Sequence, residues 1–280
     1  MLIGAHVSIA GGVIKAPANA HAIGAECFQM FTRSPQGGPA PELTDEIVAT
    51  FAEECKKYSL KEWVVHAPYY INLASDKSSL RKSSVRVLKE ELERDSRLKT
   101  KYLMFHPGSA RAVGATEGVK LVIEGCREIL HGYDGYTEFL LEISAGAGNV
   151  MGDSFEQIAE ILEGVDSDKS LKQKMNVCFD TQHAFGSGYD LRSEEAVHDT
   201  FKKFDKLIGL KRLKMSHCND SKIELGGHKD RHEHIGKGLI GVAGFKAIIN
   251  HPKLQHINLY CETEHDSVIN DIKILKKIRG

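Results

Sequence analysis

Histidine and carboxylate side chains cluster in one segment of the chain, RLKMSHCNDSKIELGGHKDRHEHIGKG at residues 212–238. An apolar run ends there at His217, and further residues of metal-ligand type follow: Asp220, Asp230, His232 and His234. Imidazole nitrogen and carboxylate oxygen together suit zinc and its borderline neighbours, and the absence of a paired-cysteine motif argues against a structural zinc ribbon. Asp230, His232 and His234 alternate in sequence, so in an extended segment they would share one face. The segment is a candidate metal-binding loop, although any single histidine in it is as compatible with a solvated loop.

Short apolar runs of the kind shown by buried parallel strands recur along the chain. They occupy residues 2–6, 27–31, 63–66, 102–106, 139–143, 176–180, 213–217 and 257–262. All but the second of these runs have a metal-capable residue at the carboxyl end: His6, His66, His106, Glu142, Asp180, His217 and Glu262. His183, three residues beyond Asp180, belongs to the same set.

Amphipathic patterns lie between the apolar runs and predict helices. The predicted helices cover residues 13–23, 44–58, 79–98, 116–130, 155–163, 193–209, 242–250 and 266–278. Ser154 and Gln157 form a capping-box pattern at the start of the helix over 155–163. Eight strand-then-helix units predict an α/β protein, a TIM (β/α)8 barrel with residues 1–280 as a single domain. A doubly wound open sheet is the alternative, but no G-x-G-x-x-G follows the first predicted strand.

The predicted barrel gives the metal-capable residues a common location. In a TIM barrel the carboxyl ends of all the strands face the same mouth, where active sites lie. Acids and histidines with only structural roles would instead be scattered over both ends of the strands and the outer helices. The sequence therefore predicts a metal-dependent catalytic mouth.

The composition is close to that of an average globular protein, with 41% hydrophobic and 27% charged residues. No apolar run approaches the roughly 18 residues of a membrane span, and no signal-peptide pattern opens the chain, so we expect a cytoplasmic protein without membrane contact. The six cysteines form no C-x-x-C pair, which favours reduced thiols over disulfides. The formal net charge of −1 gives no support to a nucleic-acid partner, although bound divalent cations would add positive charge that this count omits.

Several longer motifs together resemble the endonuclease IV family, the zinc-dependent apurinic/apyrimidinic endonucleases of base-excision repair. They are GAHVSIAGG at 4–12, FTRSP at 31–35, HAPYYINLAS from His66, FHPGSA from Phe105, LLEISAGAG from Leu140, FDTQHAFGSGYD from Phe179, HCNDSK from His217, DRHEHIGKGLIG from Asp230 and CETE from Cys261. The resemblance covers nearly the whole chain. The combination of the Phe179 and Asp230 motifs is highly specific, whereas any one short piece alone would be weak.

The resemblance implies a centre of three zinc ions, with manganese as an alternative at one site. By similarity, His66 and His106 would hold the first ion, and Glu142 would bridge it to the second. The remaining ligands implied are Asp180, His217 and Glu262 for the second ion, and His183, Asp230 and His232 for the third. His6 and His234 are not in this set. We expect His6 to orient a ligand from outside it, and His234 to do the same or to contact a phosphate.

The activity implied is hydrolysis of the phosphodiester on the 5′ side of an abasic site in duplex DNA. The products would carry a 3′-hydroxyl and a 5′-deoxyribose phosphate, with Glu142 as the catalytic residue. The resemblance leaves open whether 3′-blocked ends are also trimmed. It also implies a monomer, associated with the nucleoid through its DNA substrate.

The residues expected to contact DNA depart from the family pattern in one loop. Tyr69 and Tyr70 stand where the family has an intercalating tyrosine and an apolar neighbour, and relatives follow FTRxP with an Arg-containing loop. Here that loop reads Gln36-Gly37-Gly38-Pro39, so we expect weaker or more salt-sensitive lesion binding. The expected DNA contacts are Arg33, Gln36, Tyr69, Tyr70, Asn72 and Arg231, with Asn219 and Ser221 as weaker candidates.

Two other classes of function remain open. The first is a sugar isomerase or epimerase, because that superfamily shares the barrel and a Glu/Asp/His metal site. Such an enzyme would have no need of His183, Asp230 and His232. The second is a catalytically idle barrel that only binds damaged DNA or a partner. Metal content and assays on keto sugars or an abasic oligonucleotide would separate the three.

Overall fold

Parallel strands alternate with helices along the chain in the computed structural model, which describes residues 1–280. Eight strands close into a barrel in the ring order β1-β10-β7-β6-β5-β4-β3-β2, with β1 pairing in parallel with both β10 and β2. The barrel strands are β1 (Ile3–His6), β2 (Cys27–Met30), β3 (Glu62–His66), β4 (Tyr102–Phe105), β5 (Glu138–Glu142), β6 (Met175–Asp180), β7 (Leu213–His217) and β10 (Asn258–Cys261). β8 (Asp220–Ser221) and β9 (His232–Glu233) form a separate antiparallel pair. The predicted TIM barrel is confirmed.

Helices cover the outside of the barrel, except for the short helix Thr181–Gly186, which is buried at the mouth. The helices are α1 (Ala16–Ala22), α2 (Asp45–Lys57), α3 (Ser78–Leu98), α4 (Ala115–Leu130), α5 (Phe155–Asp166), α6 (Thr181–Gly186), α7 (Glu194–Leu207), α8 (Gly241–Asn250) and α9 (Val268–Arg279). The hydroxyls of Thr44, Ser154 and Ser193 cap three of them by accepting a backbone N–H bond three residues on. Gln157 does not return to Ser154 as in a full capping box, because its side chain accepts from the Gly152 N–H instead. The short helix α6 was absent from the predicted set.

The barrel interior is filled by a small cluster of its own, distinct from the larger core between strands and helices. Seven strands supply it, with Cys27, Val64, Tyr102, Met104, Leu140, Cys178, Met215 and Tyr260. β1 contributes Gly4, where a Cβ atom would lie 1.7 Å from the Cys27 carbonyl oxygen, so the close approach of β1 to β2 requires glycine. All six cysteines are buried and free, as predicted.

Candidate metal centre

The polar residues of the mouth form a layer directly above this interior cluster. Successive side chains of a strand point to opposite faces, so a residue two positions after an interior residue also points inward. Applied to Gly4, Cys27, Val64, Met104, Leu140, Cys178, Met215 and Tyr260, this spacing gives His6, Gln29, His66, His106, Glu142, Asp180, His217 and Glu262. Every barrel strand therefore places one polar side chain in the mouth.

The nine candidate ligands lie together in three groups, of which the first two share one residue. The first group is His66, His106 and Glu142; the second is Glu142, Asp180, His217 and Glu262; the third is His183, Asp230 and His232. Within each of the first two groups, one ligand atom per residue lies within 4.8 Å of the others. Glu142 belongs to both, as expected of a bridging carboxylate.

Glu142 occupies the middle of the mouth and is fully buried. Its Oε2 lies 3.3 Å from His66 Nε2 and 3.5 Å from His106 Nε2. Its Oε1 lies 2.7 Å from His217 Nδ1, the same nitrogen that is 3.3 Å from Glu262 Oε2. One carboxylate thus faces imidazoles on both sides, which is the arrangement needed to bridge two cations.

The third group is assembled from α6 and the loop before β9. His183 Nε2 lies 3.4 Å from Asp230 Oδ2, and His232 Nε2 lies 3.3 Å from Asp230 Oδ1. Asp180 Oδ2 is 3.8 Å from His232 Nε2, so the third group adjoins the second. Asp230 is the most exposed of these residues, with 55% of its side chain accessible.

Hydrogen bonds to the far nitrogen orient the candidate histidine ligands. His66 Nδ1 donates to the Ala67 carbonyl at 2.6 Å and His183 Nδ1 to the Ile143 carbonyl at 2.9 Å, which leaves both Nε2 atoms facing the mouth. His217 is turned the other way: its Nε2 donates to Gln29 Oε1 at 2.6 Å, and its Nδ1 faces the carboxylates. Such outer bonds fix the tautomer of a metal-ligating histidine.

Three buried atoms of these groups have no hydrogen-bond partner: Glu142 Oε2, His183 Nε2 and His232 Nε2. Buried polar atoms are nearly always paired, and an unpaired one carries a free-energy cost. All three are lone-pair atoms of metal-ligand type that face neighbouring candidate ligands. The residues present therefore fit bound metal ions, because coordination to an ion would give each of these three atoms a partner.

The charges in the mouth also favour cations. Burial raises the pKa of Glu142, but the imidazoles of His106 and His217 outweigh it and hold this pKa well below its usual range. Burial lowers the pKa of His183, yet the carboxylates of Asp180 and Asp230 raise it well above its usual value. Glu142 is thus ionised, and the carboxylates that attract a proton to His183 would attract a metal ion in its place. By contrast, burial lowers the pKa of His106 to about 4, which keeps this imidazole neutral and able to bind a metal.

Gln29 is the functional residue that the sequence analysis missed. Its carboxamide is fully buried: Oε1 accepts from His217, and Nε2 donates to Glu262 Oε1 at 2.6 Å and to His6 Nδ1 at 3.0 Å. Burial lowers the pKa of His6 to about 3, so its Nδ1 is available as an acceptor. His6 thus supports the centre through Gln29. The available signal was the position of Gln29, two residues after Cys27 in an otherwise apolar run.

Two residues of the β8–β9 region support the centre without facing DNA. Asn219 is buried, donates to Asp180 Oδ2 at 2.7 Å and accepts from the Glu262 backbone N–H at 2.7 Å, so it aligns two ligands of the second group. Asp220 accepts the backbone N–H groups of Gly236 and Ile240, each at 2.9 Å, and holds the following loop. Ser221 is also buried. The weaker candidate DNA contacts, Asn219 and Ser221, are therefore corrected to internal roles.

His234 does not share the face of Asp230 and His232. Its Nδ1 lies 2.7 Å from Asp271 Oδ2 and its Nε2 lies 3.1 Å from Asp266 Oδ1. The reason is that extended pairing covers only His232–Glu233, so the alternation ends before His234. The expectation that His234 orients a ligand is corrected: it joins the loop after β9 to the amino-terminal end of α9.

The candidate DNA contacts differ in exposure. Tyr69 is 64% exposed, and its ring packs edge-on at 5.4 Å from both Phe31 and His66. Gln36 and Arg231 are exposed, and Tyr70 is half-buried beside Gly37. These four residues lie on the loops around the mouth.

Arg33 is buried, and Asn72 is half-buried. The Arg33 Nε lies 2.6 Å from Glu91 Oε1 and its Nη2 lies 3.0 Å from Glu90 Oε2, with 3% of the side chain exposed. Asn72 accepts from the Ala74 N–H and donates to the Ser109 carbonyl, which joins the loops after β3 and β4. A phosphate contact by Arg33 would require its ion pairs to open, so its expected direct contact with DNA is corrected to support of the loop after β2 against α3. The contact expected of Asn72 stays a prediction.

No helix of the structure is both long enough and apolar enough to span a membrane.

Comparison with known proteins agrees with the fold. A family model described as a xylose isomerase-like TIM barrel matches residues 17–279, which defines the class of protein. A probable endonuclease 4 of Halothermothrix orenii is 39% identical over 263 residues, covering 94% of this chain and 93% of the relative. One of Aquifex aeolicus is 38% identical over 277 residues, covering 98% and 95%.

Solved structures point the same way. The endonuclease IV of Thermus thermophilus has a TM-score of 0.86 and 30% identity, covering 100% of this chain and 98% of that one. A D-tagatose 3-epimerase-like protein, at 20% identity and a TM-score of 0.75, shares the fold alone. The chain belongs to the endonuclease IV family, whose members are enzymes that hydrolyse DNA.

Proposed function

We propose that this protein is a DNA-repair endonuclease that hydrolyses the phosphodiester 5′ to an abasic site in duplex DNA, with three zinc ions as cofactor. The observation that carries the proposal is the convergence of nine candidate ligands around three buried, unpaired ligand atoms in a member of this family. The third group is specific support, because a sugar epimerase with a smaller metal set would not need it. We further propose that it acts as a monomer on cellular DNA.

The side chains of the mouth have separable tasks in this reaction. When bound, divalent ions would supply positive charge for the phosphoryl oxygens and ease deprotonation of the attacking water. Glu142 would hold the first two ions together, and its carboxylate, the one ionised group shared by both groups, would also accept the proton of the attacking water. Arg231 adjoins Asp230 and presents an exposed guanidinium suited to a phosphate beside the third group.

Incision of a defined substrate tests the function directly. The substrate is a duplex with a single tetrahydrofuran abasic analogue, incubated with and without chelator. We expect one cut on the 5′ side of the analogue, with a 3′-hydroxyl on one product. Turnover of keto sugars without incision would instead favour the epimerase alternative.

Replacement of Tyr69 by alanine is expected to weaken binding of abasic duplex by about 5- to 150-fold, as loss of one stacked aromatic ring does. The reason is that Tyr69 is exposed yet held by Phe31 and His66 at the rim, ready to fill the gap in the base stack. The measurement is the Kd for lesion duplex. Tyr136→Ala is the matched control, since Tyr136 is 53% exposed near the start of β5, at the opposite end of the barrel. Equal effects of both variants would contradict the role.

Replacement of Gln36 by arginine is expected to tighten lesion binding by about two- to fivefold, the range of an exposed ion pair. It should also steepen the salt dependence of log K by about 0.9, as one added phosphate contact does. The measurement is Kd over a series of salt concentrations, with Gln173→Arg as control because Gln173 is exposed before β6, away from the mouth. An unchanged Kd and an unchanged slope would show that the missing arginine in this loop does not weaken lesion binding.

A further inference from the structure

Gln182 is buried in α6 and lies between Thr181 and His183, outside the candidate ligands. We propose that Gln182 is a positioning residue that fixes Asp230 against His183 and His232, and so controls filling of the third group separately from the other two. The inference rests on the proposed metal centre. It deepens that proposal by assigning control of one ion to a side chain that does not bind it.

The contact between α6 and the loop before β9 is made at three points. Gln182 Nε2 donates to the Lys229 carbonyl at 2.9 Å. The backbone N–H of His228 donates to the Gly186 carbonyl at 2.9 Å, and that of Gly226 donates to the Phe185 carbonyl at 3.0 Å. Of these three bonds, only the one from Gln182 depends on a side chain, and it is the one nearest to Asp230.

The hydrogen bond from Gln182 to Lys229 is linked to the third group because each of these residues directly precedes a candidate ligand. Gln182 precedes His183 in α6, and Lys229 precedes Asp230 in the loop. The bond from Gln182 to Lys229 therefore holds the next residue of each segment, His183 and Asp230, close together. The distance between His183 Nε2 and Asp230 Oδ2 is 3.4 Å. Loss of the bond would free the loop at the residue that carries the ligand.

Asp230 depends on this bond because its side chain has little other support. Its carboxylate contacts only the imidazoles of His183 and His232, and 55% of the side chain is exposed. In the second group, by contrast, Asp180 is held by Asn219 and the His183 backbone N–H, and Glu262 is held by Gln29. The main chain thus places the Asp230 carboxylate, through the Lys229 carbonyl on one side and the Arg231 carbonyl, which accepts from the Lys222 N–H at 3.0 Å, on the other; only the first of these bonds depends on a side chain.

Gln182→Met tests the inference, because methionine fills a similar volume without an N–H donor. Gln182 Oε1 is buried and unpaired, so removal of the carboxamide is not expected to prevent folding. Outer-shell changes typically cost 10- to 100-fold in metal affinity. We therefore expect one zinc ion of three to bind about 10- to 100-fold more weakly, with the other two unchanged, measured as zinc per chain over a series of buffered free-zinc concentrations.

Two further variants test whether the effect of Gln182→Met is specific to the third group. Gln255→Met removes a carboxamide that also donates to backbone carbonyls, those of Ile249 and His251, outside the mouth, and should retain three ions. Gln29→Met should weaken the second group instead, since Gln29 contacts His217 and Glu262. Anomalous scattering at the zinc edge would identify the vacated position in each variant, and excess zinc should restore the third ion to Gln182→Met.

The outcomes separate the inference from the proposed function. Three ions in the wild type and unchanged affinities in Gln182→Met would overturn the role of Gln182 alone. Equal weakening of all three ions in Gln182→Met would also overturn it, because that is the result of a general structural defect. Fewer than three ions in the wild type at saturating zinc would overturn the proposed centre itself.

Discussion

Replacement of Glu142 by glutamine is expected to lower the rate of incision by about 10³-fold or more, with binding of abasic DNA retained. The variant keeps the shape of the side chain but removes the charge that would hold two ions, and with it the carboxylate that would accept the proton of the attacking water. Because Glu142 is fully buried below the rim, the loops that face DNA are left intact. The measurement is single-turnover incision of abasic duplex beside the Kd for the same duplex.

Glu138→Gln is the control for this prediction. Glu138 opens the same strand, β5, at the end away from the mouth, where it contacts Asn176 and Lys214. We expect its incision rate to stay within about twofold of the wild type, as for most surface substitutions. A rate for Glu142→Gln close to that of Glu138→Gln would remove Glu142 from the mechanism.

Removal of metal is expected to abolish incision and to lower stability. Four carboxylates, those of Glu142, Asp180, Asp230 and Glu262, meet in one mouth, and without cations their charges are opposed only by the neighbouring imidazoles. A ligand present at a hundred times its Kd stabilises the native state by about 2.7 kcal/mol, so the loss of each ion should lower the free energy of unfolding by an amount of this order. Calorimetry and incision of the same chelated samples measure the two effects.

Readdition of zinc completes this experiment. Incision should be complete only when three ions per chain are bound, and a chelator already saturated with zinc should have no effect. Full incision by metal-free protein would contradict the proposed centre. Recovery complete at two ions would remove the third group from the reaction while leaving the first two in place.

The sequence alone was sufficient to predict the barrel and to place the polar residues of the strand ends at one mouth, whereas the full ligand set was implied by the family resemblance. Continuous apolar runs of strand length, separated by amphipathic helical patterns, leave few folds other than a closed parallel barrel. In that fold the carboxyl ends of the strands must share one mouth, so residues as distant as His66 and Glu262 could be placed together without coordinates. Polar residues at those ends were visible because each interrupts an apolar run.

Only the tertiary structure revealed the roles of residues that act through partners from other elements. Gln29 has the right position in its strand, but a glutamine is a ligand support only when particular groups face it, here His217 and Glu262. Arg33 and His234 appeared free to act at the rim until Glu91 and Asp271 were found beside them. The physical reason is that periodicity fixes the face on which a side chain lies, whereas hydrogen bonds and ion pairs depend on distances of a few ångströms across the fold. The pairing of Gln182 with Lys229 is of this second kind, since 47 positions separate the two residues in sequence.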